Sequence, residues 1–124
     1  MKAGINKTSK NLSIDYTTTF NLTILYPNQD DIKFDMHYYH HTHMPLVERG
    51  WRSAGLLKWE VIEFGPRADS QKPPYRIANI MTWKDETSYT AASTGPTSWE
   101  YFEDIPQFSN RQPIFVSGKV VASG

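Results

Sequence analysis

Four stretches of the chain have the residue patterns of β-strands, either an alternation between two faces or a run rich in β-branched and apolar residues. In the first, 17–26, the apolar residues that share one face are Phe20, Leu22, Ile24 and Tyr26. The other three stretches are 56–64, 75–83 and the β-branched 114–121. In 56–64 both alternating sets contain apolar residues, so we expect both faces of that strand to be at least partly covered.

The segments between these strands favour helices. Residues 34–44 contain no glycine or proline, but Pro45 follows, and proline cannot donate a hydrogen bond to the carbonyl of His41. We therefore expect this helix to end or kink near 42–44. Asp85 can cap a helix that runs to about Ser93. After a break at 94–96, Thr97-Ser-Trp-Glu100 has the form of a capping box that begins a short helix.

The remaining segments have the composition of loops. Residues 50–55 are bracketed by two glycines, and 65–74 contains Gly65, three prolines and several charges, which is typical of a mobile rim. Residues 1–16 are polar and sparse in large apolar side chains. We expect them to form a flexible extension that precedes a single domain, 17–124.

The order strand, helix, strand, strand, helix, strand predicts an α+β, ferredoxin-like βαββαβ fold. Such a fold has a four-stranded antiparallel sheet with both helices on one face. The other face would carry apolar side chains into water, so we expect a second copy of the chain to cover it in a homodimer.

Composition narrows the class of protein. The chain has 124 residues, 13 basic and 13 acidic, so it shows no basic footprint for nucleic acid. Without cysteine it has neither disulfides nor thiol catalysis. No apolar run approaches a membrane span and no signal peptide is visible, so we expect a soluble, cytoplasmic protein. Aromatic residues reach 14%, which suits a pocket for an apolar ligand or a large subunit interface.

All four histidines lie within seven residues of the first predicted helix, and histidine is the side chain that titrates closest to neutral pH. At about 100° per residue, His43 shares the apolar face with Met36 and Tyr39. His37 and His41 point elsewhere, and His40 lies at the edge of the apolar arc. His43 is thus either a proton-transfer group or a buried neutral imidazole bonded to a backbone carbonyl, whereas the others are most simply solvated.

A metal site is the third interpretation of the cluster, because His37 and His41 have the i, i+4 spacing of a chelating pair. No full ligand set accompanies them, since the chain lacks cysteine and a His-Glu-x-x-His motif. We therefore expect no metal, and the absence of a nucleotide fingerprint leads us to expect no other cofactor.

Two motifs resemble the signatures of the EthD domain family, named for ethyl tert-butyl ether degradation. The first is Phe34-Asp35-x-x-Tyr38-Tyr39-x-x-x-His43-x-Pro45-Leu46-Val47, and the second is Asp104-Ile105-Pro106-x-Phe108, followed by Gln112-Pro113 and a final strand. The resemblance spans about 20–121 and implies a dimeric α/β barrel, in which two ferredoxin-like subunits join through their sheets. Typical EthD-like sequences have a longer helix after the third strand, which Ser93-Thr94-Gly95-Pro96 interrupts here, so that side of the pocket is expected to differ.

In this architecture the ligand cavity commonly lies between helices and sheet, which implies that His43 lines it as a catalytic group. Tyr39 shares the same helical face, and it is either a second catalytic residue that donates a hydrogen bond to a substrate oxygen or an aromatic residue of the core. Asp104 either orients an imidazole or only caps a turn. The candidates for substrate binding, each of which is otherwise a core or surface residue, are His40, Trp59, Trp83, Trp99 and Phe108.

These observations favour an enzyme that needs no cofactor and acts on a small apolar, oxygenated molecule such as a polyketide, lactone or phenol, as in secondary metabolism. His43 would act as general acid/base, so that an isomerase or lyase reaction such as isomerisation, cyclisation, dehydration or decarboxylation follows. Two alternatives are an oxygenase that is cofactor-free or uses haem, and a non-catalytic dimer that binds an apolar ligand. Fold-level analogy does not choose among them.

Overall fold

A computed structural model describes residues 18–124, so the predicted extension 1–16 lies outside the described residues. The strands are β1 (Phe20–Pro27), β2 (Leu56–Glu63), β3 (Tyr75–Trp83) and β4 (Ile114–Lys119). Helix α1 comprises an α-helical turn (Met36–Tyr38), a π-helical segment (Tyr39–His43) and an α-helical segment (Met44–Trp51). Helices α2 (Glu86–Ser93) and α3 (Ser98–Glu103) follow β3, and a 3₁₀ turn (Ile105–Gln107) follows α3.

The four strands form one antiparallel sheet in the order β2-β3-β1-β4. This order, with the chain sequence of strands and helices, is the ferredoxin-like fold, so the predicted fold class is confirmed. Among residues 18–124, no helix combines the length and apolar character that a membrane crossing requires.

One face of the sheet packs against the helices. The register pairs Phe20 with Trp83, Leu22 with Met81 and Tyr26 with Ile77, and these side chains are buried. The helix residues that join them in one core cluster are Tyr39, Met44, Val47, Trp51, Tyr101 and Ile105. Burial of this apolar surface is the main contribution to stability, and it places the inner side of α1 directly over the sheet.

The opposite face carries no helix among the described residues. A row across its four strands is entirely apolar: Ile62, Ala78, Leu25 and Ile114. Two rows further along, the corresponding positions are Lys58, Thr82, Asn21 and Gly118. The open face is therefore apolar towards one end and polar towards the other.

The end or kink expected near 42–44 is a change of helix type, because the π-helical segment ends at His43 and the chain then passes through Pro45 and stays helical to Trp51. The backbone N–H of Met44 donates to the carbonyl of Tyr39, five residues back. The π-helical turn before Pro45 lets that residue begin a new α-helical segment, where a missing N–H is tolerated. The predicted loop after Gly50 is correspondingly shorter, and Gly55, with φ 126°, makes the turn into β2.

Helix α2 begins as predicted, with the Asp85 side chain accepting a hydrogen bond from the Ser88 N–H at 2.8 Å. Helix α3 begins after Thr97, but the Thr97 side chain makes no capping bond, so the capping box does not form. Instead, the buried Ser98 hydroxyl donates to the carbonyl of Ala92 and accepts from Trp51 Nε1. The break at Gly95-Pro96 therefore folds α3 back against α2 and onto α1.

The segment 65–74 forms a loop with its own internal bonds. The Ser70 N–H donates to the Arg67 carbonyl at 2.8 Å, and the Arg67 N–H to the Gln71 carbonyl at 3.1 Å. Its mobility stays a prediction, which crystallographic B-factors would test: low values throughout the loop, without a lattice contact, would contradict it.

Candidate active site

His43 lies on the buried side of α1, in its π-helical segment. The side chain of Tyr39, one turn earlier, stacks on its ring with centroids 5.4 Å apart, and Phe108 packs against it at 4.6 Å. Only 6% of His43 is exposed. The three neighbouring histidines are all exposed, so the structure separates His43 from the rest of the cluster.

The Asp104 carboxylate contacts Nδ1 of the His43 imidazole. Its Oδ2 lies 2.9 Å from His43 Nδ1, and its Oδ1 accepts a hydrogen bond from the Tyr38 hydroxyl at 2.8 Å. Asp104 follows directly after α3, whereas Tyr38 and His43 belong to α1. Of the two roles expected for Asp104, the geometry shows the contact with an imidazole. The contact with Tyr38 is one that sequence analysis missed.

This pairing leaves Nε2 of His43 as the basic nitrogen. A carboxylate only accepts hydrogen bonds, so Nδ1 carries the proton and Nε2 carries the lone pair. Among residues 18–124, no hydrogen bond reaches Nε2. Burial lowers the pKa of His43 below its usual value, and the hydrogen bond and charge of Asp104 oppose that shift. The imidazole is therefore mainly neutral at pH 7 and able to accept a proton.

A small cavity of about 20 Å³ lies beside His43, between α1 and the sheet. It has room for about one water molecule. Most of its described lining is buried and aromatic or aliphatic, including Tyr26, Tyr39, Trp51, Tyr101 and Met81. An ionisable imidazole in such an apolar setting is a feature of functional sites.

Tyr39 also lines this cavity. The hydroxyl oxygen of Tyr39 accepts a hydrogen bond from Asn79 Nδ2 at 2.7 Å, and 1% of the residue is exposed. Burial raises the pKa of Tyr39, so the phenol keeps its proton and remains a donor. Asn79 Oδ1 is buried and has no partner among the described residues. The lining of the cavity thus includes the imidazole of His43 and the phenol side chain of Tyr39.

A second, more open groove lies on the other side of Tyr39, between α1 and β2. It has a volume of about 600 Å³, within the size range of small-molecule sites. His40 and Trp59 line it together with Met36, Val61 and two glutamates. The Trp59 ring is held by a 2.7 Å hydrogen bond from its Nε1 to Glu48.

The other candidate residues are scattered. Phe108 is buried against the His43 ring. Trp83 is fully buried in the core, packed on Trp51 and Tyr89, and Trp99 is 67% exposed on α3. Neither tryptophan lines the His43 cavity.

His37 and His41, which have the spacing of a chelating pair, lie side by side on the exposed face of α1. The rings of His37 and His41 stack at 4.3 Å, and His41 Nδ1 lies 3.0 Å from the carbonyl of His37. Within residues 18–124, no three side chains of the kinds that ligate metals are grouped to hold an ion.

No protein-family model and no curated protein sequence matches the chain. Solved structures do. An EthD-like protein from Ralstonia eutropha superposes with a TM-score of 0.77 at 20% identity, over 88% of this chain and 97% of that one. An ethyl tert-butyl ether degradation (EthD) family protein from Bacillus halodurans gives 0.66 at 18% identity, over 84% and 100%.

A hydroxynitrile lyase from Passiflora edulis gives a TM-score of 0.60 at 10% identity, over 87% of this chain and 98% of that one. At these identities the likeness concerns the fold. The resemblance that the two sequence motifs predict is thus confirmed at that level: the chain has the fold of the EthD-like proteins.

Proposed function

We propose that the chain is an enzyme that uses His43 as a general acid/base, without a cofactor, on a small apolar, oxygenated molecule. The observation that carries the proposal is the Asp104–His43 pair: its imidazole is buried, which lowers its pKa, its Nε2 is free among the described residues, and it lines an apolar cavity. A neutral base held in one tautomer is what proton abstraction requires.

The proposed reaction begins at a carbon next to a carbonyl group. His43 Nε2 takes the proton, and the Asp104 carboxylate stabilises the imidazolium that forms. The Tyr39 phenol donates a hydrogen bond to the developing enolate oxygen. Return of the proton at another atom gives isomerisation, whereas loss of a leaving group gives a lyase reaction. A hydroxynitrile lyase has this fold. This likeness supports a lyase reaction but does not decide between the lyase reaction and isomerisation.

A non-catalytic binding protein is the second candidate, and the groove beside β2 favours it. That groove is far larger than the His43 cavity, and His43 does not line it. A ligand held there against Trp59 and Met36 would contact the exposed His40 instead of the buried pair.

We further propose that the protein is a homodimer joined through the open faces of two sheets. The apolar row Ile62, Ala78, Leu25 and Ile114 supports this arrangement, because a second copy would remove it from water.

Proton transfer can be measured on two enolisable aromatic ketones, 2-indanone and anthrone, in deuterated buffer. Under argon, deuterium incorporation next to the carbonyl, followed by NMR, reports the acid/base reaction; under air, conversion of anthrone to anthraquinone reports an oxygenase. Binding measured by calorimetry with neither reaction would favour the binding protein. Each rate is compared with buffer alone.

We predict that His43→Asn lowers the rate of exchange by about 10²- to 10⁴-fold, the usual contribution of a general base. The matched controls are His37→Asn and His41→Asn on the exposed side of the same helix, which should be near neutral. Circular dichroism and light scattering verify that each variant keeps its fold and mass. Equal losses in all three variants, or none in His43→Asn, would remove the catalytic proposal.

A further inference from the structure

The wall of the His43 cavity is not uniform. Of the described residues that line it, nine are buried, whereas Phe102 and Phe115 are 38% and 43% exposed. These two side chains are therefore the part of the wall that separates the cavity from solvent. At about 20 Å³ the cavity is far smaller than the sites that hold small organic ligands. Any ligand larger than water must displace some part of this wall.

Phe102 and Phe115 meet from two different elements. Phe102 lies on α3 and Phe115 on β4, an edge strand, and their rings pack edge to face with centroids 5.7 Å apart. Each ring has solvent on one side, so it can turn outwards without opening the core. The buried lining residues lack this freedom, because they are enclosed on all sides by close-packed neighbours.

The proposed dimer leaves this pair uncovered. Phe115 is paired with Ile24, whose side chain points to the helix-covered face of the sheet. Its neighbours Ile114 and Val116 point to the open face, where the second copy would bind. A sheet-to-sheet dimer therefore has Phe102 and Phe115 on its outer layer.

We propose that Phe102 and Phe115 form a gate through which a flat, apolar molecule, of the class of aromatic carbonyl compounds, reaches His43. The aromatic lining supplied by Tyr26, Tyr39, Trp51 and Tyr101 matches such a molecule, with His43 and the Tyr39 phenol as its polar contacts. The chemical role of His43 rests on the proposed function, but the gate itself is a statement about access.

Access can be measured without a substrate. Diethyl pyrocarbonate acylates neutral imidazole, and tandem mass spectrometry resolves the four histidines of the peptide. In the unaltered protein we expect His43 to react much more slowly than His37, His40 and His41. In the double variant Phe102→Ala/Phe115→Ala we expect the His43 rate to rise by about tenfold, since the reactivity of a buried group follows the population of its open state.

The matched control is Trp99→Ala, which removes an exposed aromatic ring from α3 that does not line the cavity. It should leave the His43 rate unchanged, and the three exposed histidines should react equally in all variants. The leucine variants Phe102→Leu and Phe115→Leu, which keep more of the packing, provide the same comparison if the alanine variant does not fold.

Two results would overturn the gate: a His43 rate that already equals those of the exposed histidines, or a rate that truncation of the two rings does not raise. If truncation of the two rings raises the acylation rate of His43 but the protein catalyses no proton exchange on either ketone, the gate is supported and the enzyme proposal is wrong. The two proposals therefore fail separately.

Discussion

At the scale of single residues, the site is built from one short stretch of α1 and one distant carboxylate. The helical wheel places His43 and Tyr39 on the buried side, and the structure has them there, because one-turn spacing survives the change from α- to π-helix. The Asp104 contact was not predictable in the same way. Asp104 lies 61 residues from His43 and 66 from Tyr38, so only the packing of α3 against α1 brings them together.

Replacement of the Asp104 carboxylate tests its effect on the pKa of the His43 imidazole. Burial lowers the pKa of His43 and Asp104 opposes the shift, so Asp104→Asn should lower the pKa of His43 still further. Tyr38→Phe is the matched control, because it removes the other hydrogen bond to Asp104 but keeps the charge. NMR titration of the His43 ring protons measures both. A rise in the Asp104→Asn variant would mean that the carboxylate does not stabilise the imidazolium.

The lowered pKa of His43 also determines how the rate of proton exchange depends on pH. A general base works as the neutral form, so exchange should increase as pH rises through the pKa of His43 and then level off. Because that pKa lies below its usual value of about 6.5, the midpoint should also lie below it. Rates measured between pH 4 and 8 decide this, and a midpoint above the usual value would contradict a buried base.

At the scale of secondary structure, alternation and β-branched composition predicted the four strands, whereas the helix ends depended on contacts beyond the local sequence. Pro45 forbids one backbone hydrogen bond but not a helix, since the π-helical turn before it absorbs the change. Thr97 matches a capping sequence, yet Ser98 makes the side-chain contacts with α2 and α1. Both outcomes follow from tertiary packing that overrides local preference.

Gly50 in α1 gives a prediction at this scale. In an exposed helix, Gly→Ala is stabilising by up to about 1 kcal/mol. Here a Cβ would overlap the hydroxyl of Tyr101, whose ring is buried against Trp51. We therefore expect Gly50→Ala to lower the free energy of unfolding by about 1–3 kcal/mol, the usual cost of overpacking.

Urea denaturation measures this change, with Gly118→Ala as the control, because a Cβ there has no neighbour within 4 Å. A stabilised Gly50→Ala variant would mean that the α1–α3 contact is looser than the structure shows. Since Tyr101 lines the His43 cavity, the variant should also change the cavity.

At the scale of the whole molecule, the order of elements was enough to predict the fold, because few topologies bury the apolar sides of four strands and two helical regions. The partner of the open face does not follow from one chain alone. The apolar row of this face lies at one end of the sheet and the polar row at the other. The sheet of a second copy would therefore bury the apolar row and leave the polar row near water.

Leu25 lies on β1, one of the two central strands, within the apolar row of the open face. A charge at this position would be buried without a partner in a sheet-to-sheet dimer, at a high cost in free energy. We therefore expect the unaltered protein to have the mass of a dimer by light scattering at micromolar concentration, and Leu25→Arg to have that of a monomer. Lys58→Glu, at the polar end of the same face, should stay dimeric. Circular dichroism verifies that Leu25→Arg is folded, and a dimeric Leu25→Arg, or a monomeric unaltered protein, would remove the sheet-to-sheet barrel.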